Sequence, residues 1–153
     1  MKSTNVKEQA AKLSVISNTA LVIGKLSIGL AIGSVGVISE GIHSSLDLLA
    51  AIIAFIAVRQ ASHPADKKHK YGHGKIENLS GTIEGILILI AALWIVYEAI
   101  QKFFNPHTVE FIGWGVLIMA VSSVVNFFIS KHLQKVGEAT DSIALKADAM
   151  HLK

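Results

Sequence analysis

The stretch Val37-Ile38-Ser39-Glu40-Gly41-Ile42-His43-Ser44-Ser45-Leu46-Asp47-Leu48-Leu49-Ala50-Ala51-Ile52-Ile53-Ala54-Phe55-Ile56-Ala57-Val58 decides the fold. A helix that crosses a bilayer needs about 20 largely apolar residues, roughly 17–25, and this run has that length. Its ionisable residues are not scattered. Helical neighbours recur at i+3 and i+4, so Glu40, His43 and Asp47 fall on one face. By insertion scales an Asp at the centre of a membrane helix costs about 2.5–3.5 kcal/mol. These three must therefore face a bundle interior, a water-filled cavity or a bound cation.

Working outward, three more segments qualify as spans: 13–35, 79–103 and 109–133, beside 37–58. Gly33-Ser34-Val35-Gly36 is short and uncharged, and predicts a tight hairpin between the first two helices. Asn105-Pro106-His107 breaks the chain between the third and fourth, since Pro cannot continue a helix. Of the 153 residues, 52% are apolar and 16% charged, well below the charged share of about 25% in soluble domains. The mean hydropathy is +0.53. A soluble four-helix bundle would carry polar stripes at the helical period, and these segments carry too few. The fold class is therefore all-α: a polytopic transmembrane helical bundle with four complete spans and the start of a fifth. Glu138-Ala139-Thr140-Asp141-Ser142 suits a helix N-terminus, so the fifth helix is expected to begin at about 141.

The net charge of +3 and pI near 9.2 would suit a nucleic-acid binder, but the lysines and Arg59 sit between apolar runs and do not share a face. No nucleic-acid partner is expected; the partner is membrane lipid. Lys2, Lys7 and Lys12 precede the first span, Arg59, Lys67, Lys68, Lys70 and Lys75 follow the second, and Lys131, Lys135 and Lys146 follow the fourth. The other side has Lys102 alone. The positive-inside rule makes the N-terminus, the 59–78 loop and the C-terminal stretch cytoplasmic. The first apolar run is long and lacks a small-residue cleavage pattern, so it reads as a span and not as a cleaved signal. Without cysteine there is no disulfide, thiolate metal site or thiol nucleophile.

His43 and Asp47, at i and i+4, can offer an imidazole nitrogen and a carboxylate oxygen to one ion at about 2.0–2.2 Å, as zinc prefers. The alternative is that both only hydrogen-bond to a neighbouring helix. Glu40 lies nearer the outer end and is not counted as a ligand. A second constellation, Asp66, His69 and His73, lies in the loop His63-Pro64-Ala65-Asp66-Lys67-Lys68-His69-Lys70-Tyr71-Gly72-His73-Gly74-Lys75-Ile76-Glu77. Its glycines let these side chains converge, although its lysines would repel a cation and a solvated His-rich loop fits as well. Lys25, midway along the first span, needs a partner, for which Glu84 of the third span is a candidate. Asn126 and Glu98 are further polar groups at membrane depth or its interface, read as interhelical hydrogen bonding. Trp94, Trp114 and Tyr97 read as packing or interfacial anchors. No phosphate-cradling glycine motif and no nucleophile–base pair is present, so an enzyme is not expected.

Together, Asn18 and Lys25, the Gly33-Ser34 turn, Glu40-Gly41-Ile42-His43-Ser44-Ser45-Leu46-Asp47, Tyr71-Gly72-His73-Gly74-Lys75-Ile76-Glu77 and Lys146-Ala147-Asp148-Ala149-Met150-His151 closely resemble the cation diffusion facilitator family. The most specific parts are the H-x-x-x-D of the second span and the Y-G-H-G-K-x-E loop. The resemblance implies a six-helix, usually homodimeric transporter with a cytoplasmic C-terminal domain, exporting zinc or related divalent cations in exchange for protons. It implies a transport site of His43, Asp47, His151 and an Asp four residues later, a position beyond Lys153. In some relatives a second ion binds at positions matching Asp66, His69 and His73.

On this reading residues 1–153 are a truncated transmembrane domain without the C-terminal domain, an integral multi-pass membrane protein that does not transport as it stands. The competing reading is a non-transporting membrane subunit that binds metal or assembles with a partner. His43 is expected both to bind the ion and to carry the exchanging proton, since imidazole and carboxylate must be deprotonated to hold metal. Mixed nitrogen and oxygen donors suit zinc but also accept cobalt, nickel, cadmium or iron.

Overall fold

The computed structural model describes residues 2–67, 69–104 and 112–152. Five helices follow one another: α1 (Lys2–Ile32), α2 (Val35–Ala61), α3 (Lys75–Phe104), α4 (Ile112–Thr140) and α5 (Ile143–His151). Among the described residues there is no strand. Four helices are long and apolar enough to cross a membrane, over Asn5–Ile32, Val35–Ala61, Lys75–Gln101 and Gly115–Thr140. The Asn105-Pro106-His107 turn, Lys68 and the side chains of Lys102 and Trp114 lie outside the described residues.

The helices outrun the apolar segments at their polar ends. α1 begins at Lys2, where the sequence expects a span only from residue 13, because lysine, glutamate and glutamine are good helix formers wherever water replaces lipid. α4 runs on to Thr140, beyond the expected end of the fourth span at 133, and α5 starts at Ile143, two residues after the expected start at about 141.

Two corners of one design bend the chain. At the first, Gly33 takes a left-handed φ of 66°, Gly33 N–H donates to the Leu30 carbonyl at 3.4 Å and Ser34 N–H to that of Gly29 at 3.0 Å. This closes α1. The Ser34 hydroxyl then accepts from Val37 N–H at 3.4 Å and opens α2. At the second, Asp141 takes φ 49°, Ser142 N–H donates to the Gly137 carbonyl at 2.9 Å, and the Ser142 hydroxyl accepts from Leu145 N–H at 3.5 Å. Lys146 Nζ, 2.8 Å from Asp141 Oδ1, holds the Asp141 carboxyl below its usual range.

α1 and α2 form a close antiparallel pair. A Cβ on Gly41 would stand 2.7 Å from Leu26 Cδ2, and one on Gly29 would stand 2.9 Å from the Ile38 backbone nitrogen; small residues are what bring membrane helices this near. α5 packs against all four longer helices. Its Ala144, Leu145 and Ala149 join Ala10 and Ala11 of α1, Ala54, Ala57 and Val58 of α2, and Leu133 and Val136 of α4 in one buried cluster. α3 and α4 leave large side chains uncovered, among them Leu89, Leu93, Trp94, Phe127 and Phe128. Lipid is the natural solvent for that surface.

Candidate metal centre

The close contact of α1 with α2 decides the partner of Lys25. Leu26 rests on Gly41, which carries the neighbouring Lys25 to Glu40: Nζ lies 3.0 Å from Glu40 Oε1 and 2.7 Å from Ser44 Oγ. Glu84, the candidate from the sequence, is not its partner. Lys25 is 3% exposed, so the pair answers the cost of placing a cation in the bundle.

Further along the same face, Asp47 meets α5. Its Oδ1 lies 3.1 Å from His151 Nε2, and the two side chains are 16% and 5% exposed. That nitrogen makes no well-formed hydrogen bond, so two potential metal-donor atoms face one another across the helix contact. On a tetrahedral zinc, nitrogen and oxygen ligands stand about 3.4 Å apart, close to the observed separation. His43 sits half-buried one turn before Asp47. The structure therefore brings Asp47 and His151 together and leaves His43 on their side of α2. It does not draw all three into as compact a group as the loop residues form.

In the loop, Asp66, His69 and His73 offer donor atoms that all lie within 4.8 Å of one another. Asp66 N–H donates to the His69 carbonyl at 3.2 Å and Gly72 N–H to the same oxygen at 3.0 Å, while Asp66 Oδ1 accepts from His69 N–H at 2.6 Å. This folding needs Gly72 at φ 80°. His73 Nε2 lies 3.5 Å from Asp66 Oδ2, and its buried Nδ1 has no partner. One carboxylate and two imidazoles make a three-ligand set that fits zinc with water in the fourth position.

A residue not singled out from the sequence joins this loop. The His63 ring centroid is 6.2 Å from that of His73, and both line a cleft of about 540 Å³ with Phe55, Arg59, Gln60 and Asp66. Its place in the same loop, three residues before Asp66, was the available signal. Asp148, likewise unassigned, is 0% exposed and lies one turn before His151. Glu77 binds three elements at one end of the bundle. Its Oε1 accepts from Lys7 Nζ of α1 at 3.0 Å, and its Oε2 accepts from the Ser142 hydroxyl at the α4–α5 corner.

A helical bundle with four candidate spans and ionisable side chains turned inward defines a multi-pass membrane protein. Residues 11–153 match the cation efflux transmembrane domain, and the chain belongs to that family, the cation diffusion facilitators. It is 37% identical over 120 residues to an uncharacterized transporter of Synechocystis, covering 78% of this chain and 39% of the relative. It is 33% identical to the cation-efflux pump FieF of Shewanella oneidensis, covering 94% of this chain and 49% of the pump. It is also 32% identical to the manganese efflux system protein MneP of Bacillus subtilis, covering 94% and 48%. The chain thus spans about half the length, or less, of these relatives.

Proposed function

We propose that this chain forms the N-terminal membrane-embedded part of a secondary transporter that exports a divalent metal cation, zinc first among them, from the cytoplasm in exchange for protons. The observation that carries the reading is the 3.1 Å approach of His151 Nε2 to Asp47 Oδ1, half-buried between α5 and α2. In this reading His43, Asp47 and His151 hold the transported ion, and Asp66, His69 and His73 hold a second ion at the cytoplasmic end. Exchange follows from competition for the same lone pairs. A ligating His or Asp must be deprotonated, so a residue that gives up the metal can take a proton in its place. The N-terminus is cytoplasmic and the complete transporter is a homodimer. The name of the Bacillus subtilis relative brings manganese into consideration beside zinc.

Calorimetric titration of the detergent-purified chain with zinc, then manganese, tests the assignment. His43→Ala/Asp47→Ala is expected to lose one binding event, and Asp66→Ala/His69→Ala/His73→Ala another. Zinc isotherms unchanged in both variants would sink the ligand assignment.

A further inference from the structure

Two buried carboxylates take no part in the metal reading. Glu84 of α3 and Asp148 of α5 are both 0% exposed. Ser80 Oγ donates to Glu84 Oε1 at 2.7 Å, but Glu84 Oε2 receives no hydrogen bond; the Asp148 oxygens have only the Ser14 hydroxyl of α1 near them as a side-chain donor, without well-formed geometry. The helix crossing brings the two residues toward each other. A Cβ on Gly81, one turn before Glu84, would stand 3.0 Å from Ile143 Cγ2 and 3.8 Å from the Cβ of Ala147, the neighbour of Asp148. Asp148 acts electrostatically on Glu84, and Asp148 in turn has the Ser14 hydroxyl of α1 as a donor and feels the charges of His151 of its own helix and Asp47 of α2. From α4 the buried polar side chains are Ser122 and Ser130, each donating to a main-chain carbonyl. Among the described residues neither carboxylate pairs with a lysine: Lys7, Lys25 and Lys146 pair with Glu77, Glu40 and Asp141.

An ionised carboxylate buried without a donor or counter-ion is costly and commonly escapes the cost by taking a proton. A second carboxylate beside it strengthens that preference, since two like charges at one site resist ionising together. A proton on Glu84 Oε2 would turn an orphan acceptor into a donor, and the Asp148 carboxylate has more lone pairs than the Ser14 hydroxyl can fill. We propose that Glu84 is a proton-binding residue of the bundle interior, distinct from the proposed metal ligands, that holds a proton at neutral pH and presents it toward Asp148. Its use as a store for exchanged protons rests on the efflux reading; the protonation itself does not.

Infrared difference spectra of the purified chain, stepped from about pH 5 to about pH 10, test this. The carbonyl stretch of a protonated carboxyl is expected to be present at about pH 7, to vanish at higher pH, to be absent in Glu84→Gln and to remain in His43→Ala/Asp47→Ala. Asp148→Asn keeps Glu84 but removes its like-charged neighbour, and should lower the pH at which the band vanishes by about one unit. That variant decides the matter if Glu84→Gln fails to fold. Absence of the band from the unmodified chain at about pH 7, its persistence in Glu84→Gln, or its loss only in Asp148→Asn overturns the assignment. So does bleaching by sodium or magnesium at constant pH, which would make the pair a cation site. Calorimetry reads the metal ligands and the spectrum reads the proton, so the two readings fail separately.

Discussion

Lys25 and Glu40 are unequal partners, and the inequality predicts which of them the fold depends on more. The lysine side chain is 4% exposed and the glutamate side chain 34%. Removing the cation leaves a carboxylate that water can still reach. Removing the anion leaves an ammonium deep in the bundle with only Ser44 Oγ, 2.7 Å away, to hold it. Breaking a fully buried pair costs about 3–5 kcal/mol, because the penalty is the uncompensated charge left behind. Glu40→Gln should approach the lower end of that range, while Lys25→Met should cost about 1 kcal/mol, as expected for a group that can rehydrate. Thermal unfolding in detergent micelles measures both. A larger loss in Lys25→Met than in Glu40→Gln would refute the asymmetry. The pairing also explains why Glu84 was a poor guess from sequence: i+3 and i+4 arithmetic describes one helix, whereas the partner of Lys25 depends on Leu26 nesting on Gly41 of another.

Between elements, the two serine-capped corners separate what capping contributes from what a tertiary bond adds. Ser34 caps α2 and has no other side-chain hydrogen bond among those described. Ser142 caps α5 and also donates to the buried Glu77 carboxylate. Loss of a cap costs about 1 kcal/mol, and a hydrogen bond to a charged group is worth about 1.5–3 kcal/mol. Ser142→Ala should therefore destabilise the protein about twice as much as Ser34→Ala or more, and equal shifts in unfolding temperature would show that the Glu77 contact contributes nothing. The sequence makes the α2 hairpin legible, since Gly33-Ser34 is punctuation in a hydrophobic text. At the second corner the acidic and hydroxyl residues announce a helix start, but nothing marks the left-handed position, which Asp141 takes without a glycine. The i, i+4 spacing alone likewise makes His43 and Asp47 legible as a pair. His151 enters only through family resemblance, because its approach to Asp47 depends on how α5 packs against α2. Asp148 escaped notice because nothing in its local sequence states that it is buried.

At the scale of the molecule, the Glu77 contacts gather the N-terminal part of α1, the start of α3 and the α4–α5 corner at one end of the bundle. The lysines flanking those elements therefore lie at that end, and Lys102 lies near the opposite end of α3. A basic excess on one face favours the cytoplasm. The chain contains no cysteine, so single cysteines report sidedness without background. Ala65→Cys stands in the exposed loop after α2, and Val35→Cys stands at the first corner, where the native residue is 76% exposed. With a membrane-impermeant maleimide, Ala65→Cys should label only in inside-out vesicles and Val35→Cys only in right-side-out ones. The reverse pattern would put the Asp66–His69–His73 loop outside, where it could not meet a cytoplasmic ion on its way to Asp47 and His151, and the export direction would fall with it. Labelling of both positions from one side would contradict α2 as a membrane-crossing helix, since its 27 residues span about 40 Å against a hydrocarbon core of about 30 Å.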